Sequence, residues 1–322
     1  MFRKILLNVA AALVLLIGVM VVVVLLRWDR TFDGSLPDIR VSTDSAVIAR
    51  GRYLVYGPAH CAYCHNTAET VAALDRGEQP PLAGGFVFHL PVGTFRAPNL
   101  TPDSETGIGR LSDGAIARVL RFGVLPSGRA AVPFMAAQDL SDADLVAIVS
   151  FLRSQAPVRR AIPPHDINFL GKAVLAFVIK PIGPSGTPPA ESPPPGPTVE
   201  RGAYLVRVVA ECTGCHTERS HLDGSYTGPL LAGGTPIEAE GAPGLVAVPP
   251  NLTPEPRTGR IAAWSEDQFV ARFRKGKLIP QSPMPWGAFT RMTDDDLRAI
   301  YRYLRTVPPV VHDPGPSLRR SE

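Results

Sequence analysis

Polar residues are nearly missing from the start of the chain. After Met1-Phe2-Arg3-Lys4, the positions from Ile5 to Leu26 are apolar apart from Asn8 and Gly18, and the run meets Arg27-Trp28-Asp29-Arg30. A helix of about 20 apolar residues crosses the hydrocarbon core of a bilayer. The run is longer than the roughly 7–15 apolar residues of a cleaved leader and lacks a small-residue cleavage pattern. Residues 1–27 are therefore expected to form a cytoplasmic tip and an uncleaved transmembrane anchor. Arg3 and Lys4 on the short side place the N-terminus inside, with Trp28 at the interface. A single-pass protein of the inner membrane follows, with everything after a linker (28–45) in the periplasm.

Further along, the apolar period becomes that of half-buried helices. Leu145, Ile148, Phe151 and Leu152 recur at helical spacing, as do Leu297, Ile300, Tyr301 and Leu304. Ser141 and Thr293 precede these stripes as N-caps, each with an aspartate three positions on, a start resembling a capping box. Pro157 and Pro308 follow the two helices. The stripes belong to a duplication: Arg50-Gly51-Arg52-Tyr53-Leu54-Val55 returns as Arg201-Gly202-Ala203-Tyr204-Leu205-Val206. Leu82-Ala83-Gly84-Gly85 returns as Leu231-Ala232-Gly233-Gly234, and Pro98-Asn99-Leu100-Thr101-Pro102 as Pro250-Asn251-Leu252-Thr253-Pro254. Each copy (46–160 and 199–312) reads as an opening helix, an irregular wrap and a closing helix. Gly51 and Gly202, without a Cβ, would let opening and closing helices cross closely. Between the copies, 161–198 holds a short apolar helix over Ile167–Ile179, suited to packing between domains or to lying on a membrane surface. A proline-rich, semi-extended spacer over 183–198 follows it. Residues 313–322 form a tail.

Composition changes this picture in one respect. The chain has 34 prolines in 322 residues, against a usual share of about 5%. Long Pro/Gly-rich loops are therefore expected within a mainly α fold, because proline removes a backbone donor and fixes φ. The net charge of +4 comes without a lysine/arginine run, which excludes nucleic acid as a partner.

All four cysteines fall in two motifs, Cys61-Ala62-Tyr63-Cys64-His65 and Cys212-Thr213-Gly214-Cys215-His216. C-x-x-C-H is the attachment pattern of c-type haem. Two thiols one helical turn apart add to the two vinyl groups of a porphyrin, and the adjoining histidine reaches the iron. A thioredoxin-like pair needs no histidine after the second cysteine. A four-cysteine zinc site would have to join motifs 151 residues apart. Loop-stapling disulfides would not cluster so tightly. Two covalently bound haem c are expected, held by Cys61, Cys64, Cys212 and Cys215 and ligated by His65 and His216.

The sixth ligand decides what each iron can do. Of five methionines, Met1 and Met20 lie in the N-terminal segment. Met135 is then the one candidate of the first copy. In the second copy Met284, within Pro283-Met284-Pro285, is preferred to its rival Met292, which aligns with core position Leu140. His89 is an alternative to Met135, and His60, His165, His221 and His312 read as loop or surface residues.

With these motifs in view, residues 46–312 resemble the membrane-anchored di-haem c-type cytochromes of bacteria, built from two class-I-like cytochrome c domains. The two C-x-x-C-H motifs and Pro98–Pro102 with Glu105-Thr106-Gly107-Ile108-Gly109 carry the resemblance. So do Pro133-Phe134-Met135, Pro283-Met284-Pro285-Trp286 and the aspartate-rich closing helices. Similar segments occur in cytochrome subunits of periplasmic dehydrogenases, which usually have three haem domains where this chain has two. The resemblance implies electron transfer and the ligand pairs His65/Met135 and His216/Met284. Two departures touch the first site: Ala136 follows Met135 where relatives often have proline, and Leu111 stands where the second copy keeps Trp264. The implied role is a non-enzymatic carrier of single electrons. Its donor would be a dehydrogenase or quinol-oxidising complex, and its acceptor a cytochrome or oxidase. A di-haem peroxidase or thiosulfate-oxidising cytochrome is the alternative, as is a docking subunit of a respiratory assembly.

Overall fold

The computed structural model describes residues 1–135, 137–220 and 224–321; Ala136 and His221 lie outside them. The apolar run forms one continuous helix, α1 (Phe2–Arg27). At 1.5 Å per residue its 26 residues extend about 39 Å, enough to cross a bilayer. It is the one described helix long and apolar enough to do so.

The remainder is mainly helical, and its plan is duplicated. The first half contains α2 (Ser45–Tyr56), α3 (Cys61–Cys64), α4 (Ala68–Asp75), α5 (Asp113–Phe122) and α6 (Asp142–Ser154). The second contains α8 (Val199–Tyr204), α9 (Cys212–His216), α10 (Glu266–Arg274), α11 (Trp286–Phe289) and α12 (Asp294–Leu304). Helix α7 (Phe169–Phe177) lies between them in sequence. The opening helix α8 passes into a π-helical stretch over Leu205–Val209, a departure absent from α2.

In each half the opening and closing helices cross at the expected glycine. An added Cβ on Gly51 would overlap the Ala147 carbonyl oxygen and come within 2.8 Å of Phe151 Cβ. On Gly202 it would overlap the Ala299 carbonyl and come within 2.7 Å of Tyr303 Cβ. Two backbones can approach this closely only where a side chain is absent. Behind each crossing the predicted stripes are buried: Leu145, Ile148, Phe151 and Leu152 in one half, Leu297, Ile300 and Leu304 in the other. Tyr301 is half-buried instead, its hydroxyl donating to the Trp264 carbonyl at 2.6 Å. A single apolar cluster runs through both halves.

Two features add to the mainly helical plan with its Pro/Gly-rich loops. Three-stranded antiparallel sheets are present, one of β1 (Val87–Leu90), β2 (Gly93–Arg96) and β3 (Asp166–Ile167), the other of β4 (Ile237–Glu238), β5 (Leu245–Ala247) and β6 (Leu318–Arg320). In each sheet the last strand comes from beyond the closing helix, with Gly93 opposite Ile167 and Ala247 opposite Leu318. The tail is thus tied into the second half. The spacer is also held: Pro189 and Ala190 carbonyls accept from Asp142 and Ala143 N–H at 2.9 and 3.0 Å. Those are first-turn donors of α6, which have no partner within their own helix.

The caps also differ from a complete capping box. Ser141 and Thr293 side chains accept from Asp144 and Asp296 N–H, each at 3.1 Å. The two aspartates do not reach back to the cap. Asp144 binds Arg50 through two 2.9 Å bonds, and Asp296 binds Arg201 at 2.8 and 3.1 Å. The N-cap N–H goes instead to a tyrosine of the other half. Ser141 N–H donates to Tyr204 Oη at 3.1 Å, and Tyr204 donates on to Asp144 at 2.8 Å. Thr293 N–H donates to Tyr53 Oη at 3.3 Å, and Tyr53 donates to Asp296 at 2.5 Å. The halves are joined by this reciprocal exchange.

Candidate functional site

Each C-x-x-C-H motif forms a single helical turn, α3 or α9, entered through a residue in the left-handed region: His60 at φ 41° and Glu211 at φ 47°. The i, i+3 spacing puts both thiols of a motif on one side of the turn. None of the four cysteines is joined to another in a disulfide. Burial pushes the thiols up, Cys61 and Cys212 to about 12 and Cys64 to about 11, with Cys215 raised as well. Among the described residues no three His, Cys, Asp or Glu side chains gather as a metal-holding group.

The histidine after each motif is buried, His65 at 7% and His216 at 8% exposure. His65 Nδ1 lies 3.1 Å from the Pro98 carbonyl oxygen, and His216 Nδ1 lies 2.9 Å from that of Pro250. A carbonyl can only accept, so Nδ1 carries the proton and Nε2 presents its lone pair. Such a second-shell acceptor fixes the ring and its tautomer for a metal. Desolvation lowers both imidazole pKa values, against a smaller upward pull from the carbonyls, and keeps the rings neutral.

The duplicated loops explain how those carbonyls are held. Asn99 donates to the Val158 carbonyl at 2.8 Å and accepts from Thr101 N–H at 2.9 Å. Asn251 does the same with Val310 and Thr253, at 2.9 Å each. Each asparagine staples the proline loop to the segment beyond the closing helix. Gly84 N–H donates to the His65 carbonyl at 3.0 Å, and Gly233 N–H to that of His216 at 3.1 Å. Pro98, Asn99, Pro250 and Asn251 therefore serve the histidines. Their duplication was visible in the sequence, but their task was not.

The methionines fall into distinct settings. Met292 is 2% exposed within the core cluster, as its alignment with Leu140 suggested. Met284 is half-buried against that cluster. Met135 is 36% exposed, on a loop where Gln138 Nε2 donates to its carbonyl at 3.1 Å. His89, on β1, is exposed, with Nδ1 3.4 Å from Thr94 Oγ1. His165 and His312 are exposed loop residues as expected, whereas His60 is half-buried edge-on to Phe289 of the other half, at 5.8 Å between rings.

A porphyrin attached through thioether links needs two thiols one turn apart and a neutral imidazole with a free Nε2. Both halves supply that donor set.

Residues 199–308 match the family model for cytochrome c. The chain as a whole is a relative of cytochrome c subunits of bacterial dehydrogenases. It is 32% identical over 290 residues to the cytochrome c subunit of a quinone-type alcohol dehydrogenase from Gluconobacter oxydans, covering 83% of this chain and 56% of that one. It is 30% identical to the gluconate 2-dehydrogenase cytochrome c subunit of Pantoea cypripedii, over 82% of this chain and 60% of that one. A di-haem c-type cytochrome of Cereibacter sphaeroides is 28% identical, over 80% and 84% respectively. The chain spans about half the length of the dehydrogenase subunits it matches.

Proposed function

We propose that the protein is a membrane-anchored di-haem c-type cytochrome that carries single electrons from a dehydrogenase or quinol-oxidising complex to a periplasmic cytochrome or oxidase. On this reading two cytochrome c-like domains stand in tandem, 46–160 and 199–312, behind the anchor in 1–27. Cys61 and Cys64 hold one haem and Cys212 and Cys215 the other, with His65/Met135 and His216/Met284 as axial pairs. The observation that carries the reading is the repeated geometry of a buried histidine, its Nδ1 engaged by a proline carbonyl, directly after a turn bearing two thiols.

Haem supplies reversible one-electron chemistry when bound. The chain's own part is to tether, orient and bury. Its prolyl carbonyls hold each imidazole in one tautomer, and the helix crossings at Gly51 and Gly202 fix the frame around it. The names of the relatives support a dehydrogenase as the electron donor. A methionine available to each half speaks against a peroxidase or thiosulfate-oxidising site, which needs an open or unusual sixth position.

Pyridine haemochrome analysis of the mature protein tests this. Two haems per chain are expected, falling to one in Cys212→Ser/Cys215→Ser. One haem in the parent protein would remove half the proposal, and none would remove all of it.

A further inference from the structure

Helix α7 has no task in the electron-transfer reading, yet it is firmly placed. Asn168 caps it, its Oδ1 accepting from Gly171 N–H at 2.9 Å while Nδ2 donates to the Pro91 carbonyl at 2.8 Å. An added Cβ on Gly171 would overlap the Val92 carbonyl, so one face is closed against the turn between β1 and β2. The other end is held by α1. Arg27 Nε donates to the Ala176 carbonyl at 3.4 Å, and Arg30 to that of Ile179 at 3.1 Å. Two cations thereby sit on the negative end of the α7 dipole. Val24, 2% exposed, is the one buried residue of α1, and α7 packs against this helix.

The outward face of this docked helix is apolar. Phe169 and Leu170 are 50% and 55% exposed, and Phe177 and Val178 are 44% and 54% exposed. Around it stand cations: Lys172 Nζ lies 5.1 Å and Arg129 Cζ 5.6 Å from the Trp28 ring, with Arg27 and Arg30 beside them. Asp29 and Asp166 are the acids adjoining in sequence.

We propose that α7 is a second membrane contact: it lies in the headgroup region of the outer leaflet, with Phe169, Leu170, Phe177 and Val178 among the acyl chains and the surrounding arginines and lysine facing anionic headgroups. The occupant is a lipid surface because the patch continues directly from the end of the apolar helix, at the depth where a spanning helix leaves the hydrocarbon. An amphipathic helix with a basic rim is built for that layer, burying its apolar face by about 5–10 Å. A rigid second contact would stop the first half from swinging on 28–45 and hold it against the bilayer. The inference rests on the reading of α1 as a membrane anchor.

The test uses the haem-loaded full chain in vesicles of phosphatidylcholine and phosphatidylglycerol containing a trace of phosphatidylcholine with a diazirine on its acyl chain. After illumination, lipid adducts are mapped by peptide mass spectrometry. Adducts on α1 and on the α7 peptides, with none on the peptide holding exposed Val311, are the expected result. The paired variant Leu170→Ser/Phe177→Ser should lose the α7 adducts and keep those on α1. Adducts on α1 alone in the parent protein would overturn the α7 contact and leave the anchor standing. Adducts on neither helix would remove the anchor reading and this inference together.

Discussion

The two halves share a plan but use their common boundary differently. Arg291 of the second half crosses to the first and donates to the carbonyls of Leu74, Gly77 and Glu78, at 2.6, 3.0 and 2.9 Å, capping the C-terminus of α4. The equivalent position in the first half is Asp139, which stays on its own side. It accepts from Ser185 N–H and Oγ of the proline-rich spacer, at 2.7 and 3.0 Å. Where the first boundary is clamped, the second leaves a cavity of about 600 Å3 whose lining includes Asp139, Arg207, Glu211, Tyr226 and Ser185 of the spacer. Duplication therefore fixes what is local to each half, while one residue of opposite charge decides how each edge is closed.

The methionines give the largest contrast between the halves. If Met284 ligates the second iron and Met135 the first, Met284→Ala should abolish the near-infrared sulfur-to-iron band of one haem, and Met135→Ala that of the other. Met292→Ala should leave both bands in place. Loss of a band in Met292→Ala would transfer the ligand role to a residue the fold keeps in its core. An unchanged spectrum in Met135→Ala would return the first site to His89.

A smaller difference is expected where the ion pairs are compared. Arg201 and Asp296 are 1% and 4% exposed at their side chains, whereas Arg50, paired with Asp144, is 25% exposed. Removing one member of a buried pair strands the other, at a cost of about 3–5 kcal/mol. Asp296→Ala should lose that much by denaturant unfolding. Asp144→Ala should lose less, because Arg50 can turn to water. Equal losses would mean that the tyrosine exchange, and not burial of the arginine, sets the cost.

Much of this was readable from the chain because it is local. The helix stripes, the caps at Ser141 and Thr293 and the glycine crossings all repeat a short-range pattern, and the C-x-x-C-H spacing is itself a geometric instruction. The two small sheets escaped notice because β3 and β6 have only two and three residues and pair with strands more than 70 positions away. The incomplete capping boxes failed for the same reason. The aspartate at the third position does sit where a box would place it, but a tyrosine 63 or 240 positions distant takes the cap N–H. For the histidines, the proline loops were plain as a repeat, yet nothing in Pro-Asn-Leu-Thr-Pro announces that its first carbonyl faces an imidazole.

The tyrosine exchange itself gives the finest test, since here the halves are most alike. Tyr204, buried and next to Asp144, is pushed up to about 12, and Tyr53 is raised as well by burial and by Asp296. An unfolded tyrosine titrates near 10, so the folded state holds these phenolic protons more tightly. The Tyr204 contribution is then complete below about pH 10 and is lost as pH rises toward about 12. Hydrogen bonds to charged groups contribute about 1.5–3 kcal/mol each, which sets the scale for Tyr204→Phe at neutral pH. Unfolding midpoints of the native protein and of Tyr204→Phe should therefore converge between about pH 10 and 12. Tyr53→Phe should begin to converge with the native protein above about pH 10 as well, because its hydroxyl occupies the mirror position and its pKa is raised in the same direction. Parallel curves would show that the phenols do not carry the joint. Convergence for Tyr204 alone would show that the exchange is reciprocal in geometry but not in energy.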